Sequence, residues 1–394
     1  MIISKVTLQN WRNFKSGTAD LCDVTYVLGP NASGKSNFLD AFRFLRDVAK
    51  SNGGGLQKAV SDRGALRKLR CLHARTQTDV GIDVEVSENY GDGSPKWRYE
   101  IHFNSEGKGR QRPQITKEKV IKYTLDGKSQ TLLNRPDKSD TADSERLTQT
   151  AMEQIQANQG FRELVEFFEK VTYVHLVPQL LKHADSIGGR RLEDDPFGQG
   201  FLERVAKSTE PVQKSRLKRI EAALKAVIPQ LEQLAFKRDD DTGMPHLEAK
   251  FKHHRPNGAI QREDQFSDGT LRLISLFWLL LEGQSLLLLE EPELSLNEEV
   301  VARLPHLIDR VQRTTKKKRQ IIITTHSGSL LSNAGINGKG LLVLTPSQEG
   351  TSIGAPTDAE LEAMRNGFSA AEVVLPRARR ASNTSRAGQM EFAL

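Results

Sequence analysis

Cysteine is scarce in this sequence. In 394 residues there are two, Cys22 and Cys71. Their separation matches no metal-ligand spacing, which excludes a disulfide framework and a structural zinc site. A reducing cytoplasm is the expected compartment. Long apolar runs are also missing. The most apolar stretch, Leu271 to Leu289, is cut by Glu282, Gly283 and Gln284 into pieces too short to span a bilayer. A buried helix followed by a buried strand is expected there, and no membrane partner. Met1-Ile-Ile-Ser-Lys-Val-Thr alternates apolar and polar residues, as a strand does, and lacks the apolar centre of a signal peptide. No helix is long enough for coiled-coil arms, and no Cys-x-x-Cys zinc hook or internal repeat occurs.

Charge is plentiful and nearly balanced, 57 Lys and Arg against 50 Asp and Glu, for a net +7. That surplus permits contact with DNA or RNA without demanding it. Basic clusters lie at Lys214 to Arg219, Lys316 to Arg319 and Arg377 to Arg386, and each is read as solvated surface.

The pattern along the chain predicts an α/β protein in four parts. Residues 1–139 form an N-terminal lobe with a β-rich start. Val24 to Leu28 is a buried strand, and Phe38, Leu39, Phe42, Leu45 and Val48 recur at helical spacing. Further strands are expected at Val80 to Val86, Trp97 to Phe103 and Val120 to Leu125, with a solvated loop from Ser105 to Lys117. Residues 140–235 form a helical insertion, whose Leu217, Ile220, Leu224, Val227, Ile228, Leu231 and Leu234 make one apolar stripe. Asp239-Asp-Asp241 is read as a hairpin turn ahead of a metal site. In residues 236–375 the runs Leu286 to Leu289 and Ile321 to Thr324 have the continuous apolar character of parallel strands covered on both faces. A basic, mobile tail is expected from 376 to 394.

Four segments carry chemistry. Gly29-Pro-Asn31-Ala-Ser-Gly34-Lys35-Ser36 has the phosphate-loop pattern, delivered by a strand and followed by a helix. Glycines let backbone N–H groups approach phosphates, Lys35 brings a cation to the β- and γ-phosphates, and Ser36 offers a ligand to Mg²⁺. Leu286 to Leu289 ends in Glu290 and Glu291, at the strand edge where ligands of open α/β sheets sit. One carboxylate can hold Mg²⁺, through water, and the next can polarise an attacking water. Ser267-Asp268-Gly269 starts a helix whose N-terminal N–H groups make an anion site. Ile321 to Thr325 ends in His326, placed to contact a γ-phosphate. Taken singly, the last three have ordinary structural readings; their order along one chain favours function.

That order resembles the ABC-type ATPases, and Leu8-Gln-Asn-Trp-Arg12-Asn-Phe14 resembles the opening of the RecF, SMC and OLD-like group. The resemblance covers roughly residues 1 to 60 and 265 to 345. It implies the fold of an ABC-type ATPase head, a P-loop NTPase with a mixed sheet, a β-rich N-terminal part and a helical insertion before the signature motif. It implies ATP and Mg²⁺ as cofactors. Gly29, Asn31, Gly34, Lys35, Ser36 and Asn37 would hold nucleotide, with Arg12 as the N-terminal arginine. Ser36 and Glu290 would hold Mg²⁺, with Gln57 as a candidate for the glutamine that senses it. Glu291 would be the catalytic base, His326 the switch histidine, and Lys35 the charge on the transferred phosphoryl group. Ser267, Asp268 and Gly269 would form the signature that caps nucleotide held by a partner copy. After the glutamates, Pro292-Glu-Leu-Ser-Leu-Asn297 lacks the His-Pro of many relatives, so the dimer-contact loop is expected to differ. Asp185-Ser-Ile-Gly-Gly-Arg190 has a signature-like outline but lies far ahead of the carboxylate strand, and is read as a loop.

The function this resemblance implies is a homodimeric ATPase of anti-phage defence that gates an effector. OLD proteins carry a nuclease domain after the ATPase; none follows here, so a separate effector, a nuclease, is expected. The competing reading is a RecF-like DNA-repair ATPase acting directly on DNA. A transporter subunit and a small-molecule kinase fit less well, the first because of the N-terminal motif and the second because of the signature.

Overall fold

A computed structural model describes residues 1–74, 77–107, 111–124, 126–183, 191–252 and 259–379. Fifteen strands are described. They are β1 (Ile2–Trp11), β2 (Phe14–Asp20), β3 (Val24–Leu28), β4 (Val80–Ser87), β5 (Trp97–Ser105), β6 (Pro113–Tyr123), β7 (Ser129–Arg135), β8 (Thr172–Val174), β9 (Leu231–Arg238), β10 (Pro245–Phe251), β11 (Ala259–Arg262), β12 (Leu287–Glu290), β13 (Ile321–Thr325), β14 (Leu341–Ser347) and β15 (Gly350–Gly354). They build three sheets, ordered β2-β1-β4-β5-β6-β7, β11-β10-β9 and β15-β14-β3-β13-β12-β8. The first two are antiparallel. The third is parallel except for the β14–β15 pair, and so is mixed.

The mixed sheet divides the core. Successive strand residues point to opposite faces, and each strand feeds two apolar clusters accordingly. Val27, Leu288, Ile322, Leu342 and Leu344 join the cluster shared with the helix Lys35–Ala49 and the first sheet. Tyr26, Leu28, Leu287, Leu289, Ile321, Ile323, Leu341 and Val343 join the opposite cluster, with the helices Glu210–Leu224, Asp268–Glu282 and Glu298–Gln312. Covering on both faces is why these strands read as unbroken apolar runs.

Several expectations are corrected. Residues 140–235 are not simply helical, because β8 lies among them and forms an edge of the mixed sheet. The apolar stripe is not one helix face. The helix Glu210–Leu224 stops, and Leu231 and Leu234 belong to β9, although all pack into one cluster. Pro229 keeps the helix from resuming, since it disfavours helical backbone at the residue before it. The loop expected at Ser105 to Lys117 gives way to β6 from Pro113. The strands β2 and β7 were not anticipated. Asp239 to Asp241 does turn the chain between β9 and β10. The signature-like 185–190 lies outside the described residues.

The basic clusters also contain internal cations. Arg319 is 3% exposed, and its guanidinium donates to Ser285 O, Leu279 O and Thr172 Oγ1, each at 2.6 Å. It thereby ties the end of the helix Asp268–Glu282 to β8 and β12, and burial lowers its pKa to about 10. The Arg216 guanidinium lies over the Trp278 ring, 5.0 Å from its centroid. The described start of the tail is packed, with Ala378 buried and Arg377 hydrogen-bonded to Ala355 O. Among the described residues no helix is long and apolar enough to cross a membrane.

The first sheet closes on a buried charge cluster. Arg135 donates to Glu118 Oε2 at 3.1 Å and Asp140 Oδ1 at 2.9 Å. Glu118, fully buried, also accepts from Tyr99 Oη and Ala151 N. Burial raises the Glu118 pKa, whereas the Arg135 hydrogen bonds hold Asp140 down at about 2. Removing one partner of such a group strands a buried charge. Arg135→Met is therefore expected to cost about 3–5 kcal/mol of stability, read as a lower denaturant midpoint; an unchanged midpoint would contradict this account.

Candidate nucleotide site

The registry of the mixed sheet lines up the functional strand ends. Glu290 pairs with Thr324, and Thr324 with Val27, in parallel strands. The segments that follow β3, β12 and β13 therefore leave the sheet along one edge, where the chain of an α/β sheet presents ligand-binding groups.

The phosphate loop is shaped by close approach. Gly34 has φ +97°, and a Cβ there would lie 2.1 Å from Asn13 Nδ2, so both the backbone conformation and the space call for glycine. Asn13 donates to Ser33 O at 2.9 Å and to Thr351 Oγ1 at 2.6 Å, and accepts from Asn37 Nδ2 at 2.9 Å. Thr351 Oγ1 also bonds Ser33 O at 3.0 Å. Asn37 thus fixes the loop from outside, with its carbonyl accepting from Trp11 Nε1. Asn31 is exposed at the loop's tip.

Lys35 is 7% exposed. Its ammonium donates to Gly29 O at 3.0 Å and Pro30 O at 3.2 Å, and lies 4.0 Å from Glu291 Oε1. Burial lowers its pKa, against the pull of Glu291, Glu293 and Glu290. Ser36 Oγ donates to Glu290 Oε1, and Tyr173 Oη, from β8, donates to Glu290 Oε2.

Glu291 has φ +44°, a left-handed backbone uncommon for a residue with a side chain. Its N–H is held by Thr324 O at 3.1 Å. His326 Nδ1 lies 3.0 Å from Glu291 Oε1. Glu293, two residues on, is buried, accepts from Thr325 Oγ1, and burial raises its pKa. The buried Arg272 donates to Leu294 O at 2.7 Å, which fixes the segment after the glutamates against the helix Asp268–Glu282.

That helix begins on the same edge. Ser267 is its N-cap, exposed, accepting from Thr270 N at 3.2 Å. The Asp268 carboxylate is 2.7 Å from Lys182 Nζ. A Cβ on Gly269 would stand 3.1 Å from Ser295 O, so the first turn sits close against the loop that follows Glu291.

Two expected residues have partners of their own. The Gln57 amide donates to Pro113 O at 2.8 Å and Thr148 O at 2.7 Å, which ties it to the first sheet; the structure does not bring it to the Ser36–Glu290 pair. Arg12 is bound to Asp40 Oδ2 at 2.8 Å and Lys68 O at 3.3 Å, in a wall that also holds Arg63 on Asp40. Asn13, Thr351, Tyr173, Glu293 and Arg272 were not singled out in the sequence. Asn13 lay inside the quoted opening motif and Glu293 inside the segment quoted after the glutamates; Thr351, Tyr173 and Arg272 carry no spacing signal, because their roles arise only where distant segments meet.

The residues fit nucleotide and Mg²⁺. A hydroxyl and a carboxylate already in contact supply the hard oxygens that Mg²⁺ prefers. The glycine cradle and the buried ammonium suit a polyphosphate.

No curated protein matches the chain. Among solved structures, the Smc head domain with an extended coiled coil from Pyrococcus furiosus, bound to the C-terminal domain of ScpA, shares 15% identity at a TM-score of 0.50, covering 93% of this chain and 98% of that one. The SMC head domain from Thermotoga maritima shares 14% identity at a TM-score of 0.47, covering 91% and 100%. A family model described as "AAA domain, putative AbiEii toxin, Type IV TA system" matches residues 24–332, which span β3 through His326. The chain belongs to that family, and its fold is like that of the Smc head domain.

Proposed function

We propose that this protein binds ATP with Mg²⁺, hydrolyses it, and does so as a dimer that gates a separate effector. The observation that carries the reading is the convergence of Lys35, Glu291 and His326, within 4.0 Å and 3.0 Å of one carboxylate oxygen.

Each group has a physical task. The loop N–H groups and Lys35 hold the phosphates. Ser36 and Glu290 provide oxygens for Mg²⁺, which when bound neutralises charge on the β- and γ-phosphate oxygens. Glu291 accepts a hydrogen bond from the attacking water and polarises it. His326 fixes the rotation of that carboxylate through Oε1. Glu290 lies against the Ser36 hydroxyl, a second hard oxygen for a metal, so it suits metal binding, and Glu291 suits base catalysis.

The partner site rests on Ser267 and Gly269. An exposed helix N-terminus beside the catalytic edge offers its first-turn N–H groups and positive dipole end to an anion from outside the subunit. A two-fold pairing of the same surface completes two equivalent sites. The family's description as a putative toxin of a type IV toxin–antitoxin system supports a setting in defence with a second protein. Effector gating is tested by purifying Glu291→Gln from its native host with ATP present. A single, nucleotide-dependent companion is expected, and its absence overturns the gating role.

Lys35→Ala is expected to abolish nucleotide binding or turnover. Glu291→Gln is expected to bind ATP and slow hydrolysis by roughly 10²–10⁴-fold. Wild-type turnover in either, measured as phosphate release, would overturn the site. Ser267→Arg is expected to block turnover while leaving ATP affinity near wild type. Mixing it with Lys35→Ala gives dimers in which one site is intact, so part of the activity should return. A monomer whose specific turnover is independent of concentration would overturn the dimeric site, and Glu291→Gln dimerisation with ATP provides the parallel measurement should the two sites work only together.

A further inference from the structure

Glu290 is held from two sides. Ser36, on the helix Lys35–Ala49, bonds one carboxylate oxygen, and Tyr173, on the edge strand β8, bonds the other. Tyr173 is itself fixed. β8 pairs in parallel with β12, placing Tyr173 opposite Leu288. The Arg43 guanidinium stacks on the Tyr173 ring, its central carbon 4.1 Å from the centroid. Arg43 Nε is buried without a hydrogen-bond partner, so the ring face is what it rests on. Arg43 is 3.8 Å from Asp40, the carboxylate that also takes Arg12 and Arg63. These residues line one wall of a cavity of about 890 Å³.

We propose that Tyr173 is a positioning residue for the Mg²⁺ carboxylate: by holding Oε2 it fixes the rotation of Glu290 and presents Oε1 beside Ser36, and Arg43 fixes Tyr173 in turn. The physical basis is general. A carboxylate on a strand end rotates freely about its last torsion, and a hydrogen bond on the oxygen away from the metal selects one orientation before the metal arrives. Loss of such an outer partner typically weakens metal affinity about 10–100-fold. The phenol is suited to this task because it donates its single proton to the carboxylate and stays neutral. Arg43 on the ring face adds attraction without competing for Glu290.

This inference rests on the nucleotide-site reading, and its test separates the two. ATP affinity of the purified full chain is measured with excess Mg²⁺ and with a chelator, for wild type, Tyr173→Phe and Arg43→Met. The magnesium concentration giving half of the Mg²⁺-dependent gain in affinity is the readout. Tyr173→Phe is expected to raise it by about tenfold, with ATP affinity in chelator unchanged. Arg43→Met is expected to shift it the same way by a smaller factor. Phenylalanine keeps the ring under Arg43, and a thermal melt checks that the fold is retained. An unchanged half-point in Tyr173→Phe, with wild type responding to Mg²⁺, overturns the positioning role alone. Equal loss of affinity with and without Mg²⁺ assigns Tyr173 a merely structural role and also overturns it. A wild type that binds no ATP, or binds it without regard to Mg²⁺, overturns the nucleotide site itself.

Discussion

The structure depends on one constraint: the parallel strands β3, β12 and β13 are buried on both faces and tolerate almost no charge along their length. Ile321 to Ile323 alternate between two apolar clusters, as do Leu287 to Leu289. The first place where such a strand can carry a charged side chain is where it leaves the sheet. Glu290, Glu291 and His326 stand at those exits, and the parallel registry puts the exits side by side. The low dielectric beneath them strengthens each interaction above.

Around that edge, the supporting contacts come from segments far away in the chain. Asn13 and Thr351 brace the phosphate loop, 338 residues apart. Arg272 braces the segment after Glu291. Arg319 joins β8, β12 and the end of the helix Asp268–Glu282 from the opposite end of the sheet. Arg272 and Arg319 thus sit where backbone carbonyls collect. An arginine in a basic run is as much a candidate for this task as for solvent.

How much of this was legible in the sequence follows from the range of each interaction. The phosphate loop, its strand and its helix are local, and Gly29 to Val48 are read directly. Glu290, Glu291 and His326 were legible because an apolar run that ends in polar residues is itself a local signal. The first sheet was legible only in part. β2 and β7 are half-exposed and polar, with patterns such as FKSGTAD and SQTLLNR, and pair only because neighbours in the sheet supply the ladder. β8 is three residues long and carries no periodicity, so Tyr173 was hidden with it. Gln57 was chosen on residue type, and a side-chain amide serves two backbone carbonyls as readily as a metal-bound water. The helical reading of Leu217 to Leu234 failed after Leu224, since apolar spacing alone does not say where a helix gives way to a strand.

The bond from Thr351 N to Asn13 O at 2.8 Å joins β15, the edge strand of the mixed sheet, to the β1–β2 hairpin at the start of the chain, and it has a temporal side. A ribosome releases Asn13 long before Thr351. During synthesis the glycine loop therefore exists for most of the time without the brace that Thr351 gives its Ser33 carbonyl. The nascent chain carries the whole phosphate-binding motif, yet its final shape waits for the last strand of the sheet to be delivered. Nucleotide capture is thus tied to completion of the domain, and a truncated product would retain the motif without the full support that shapes it.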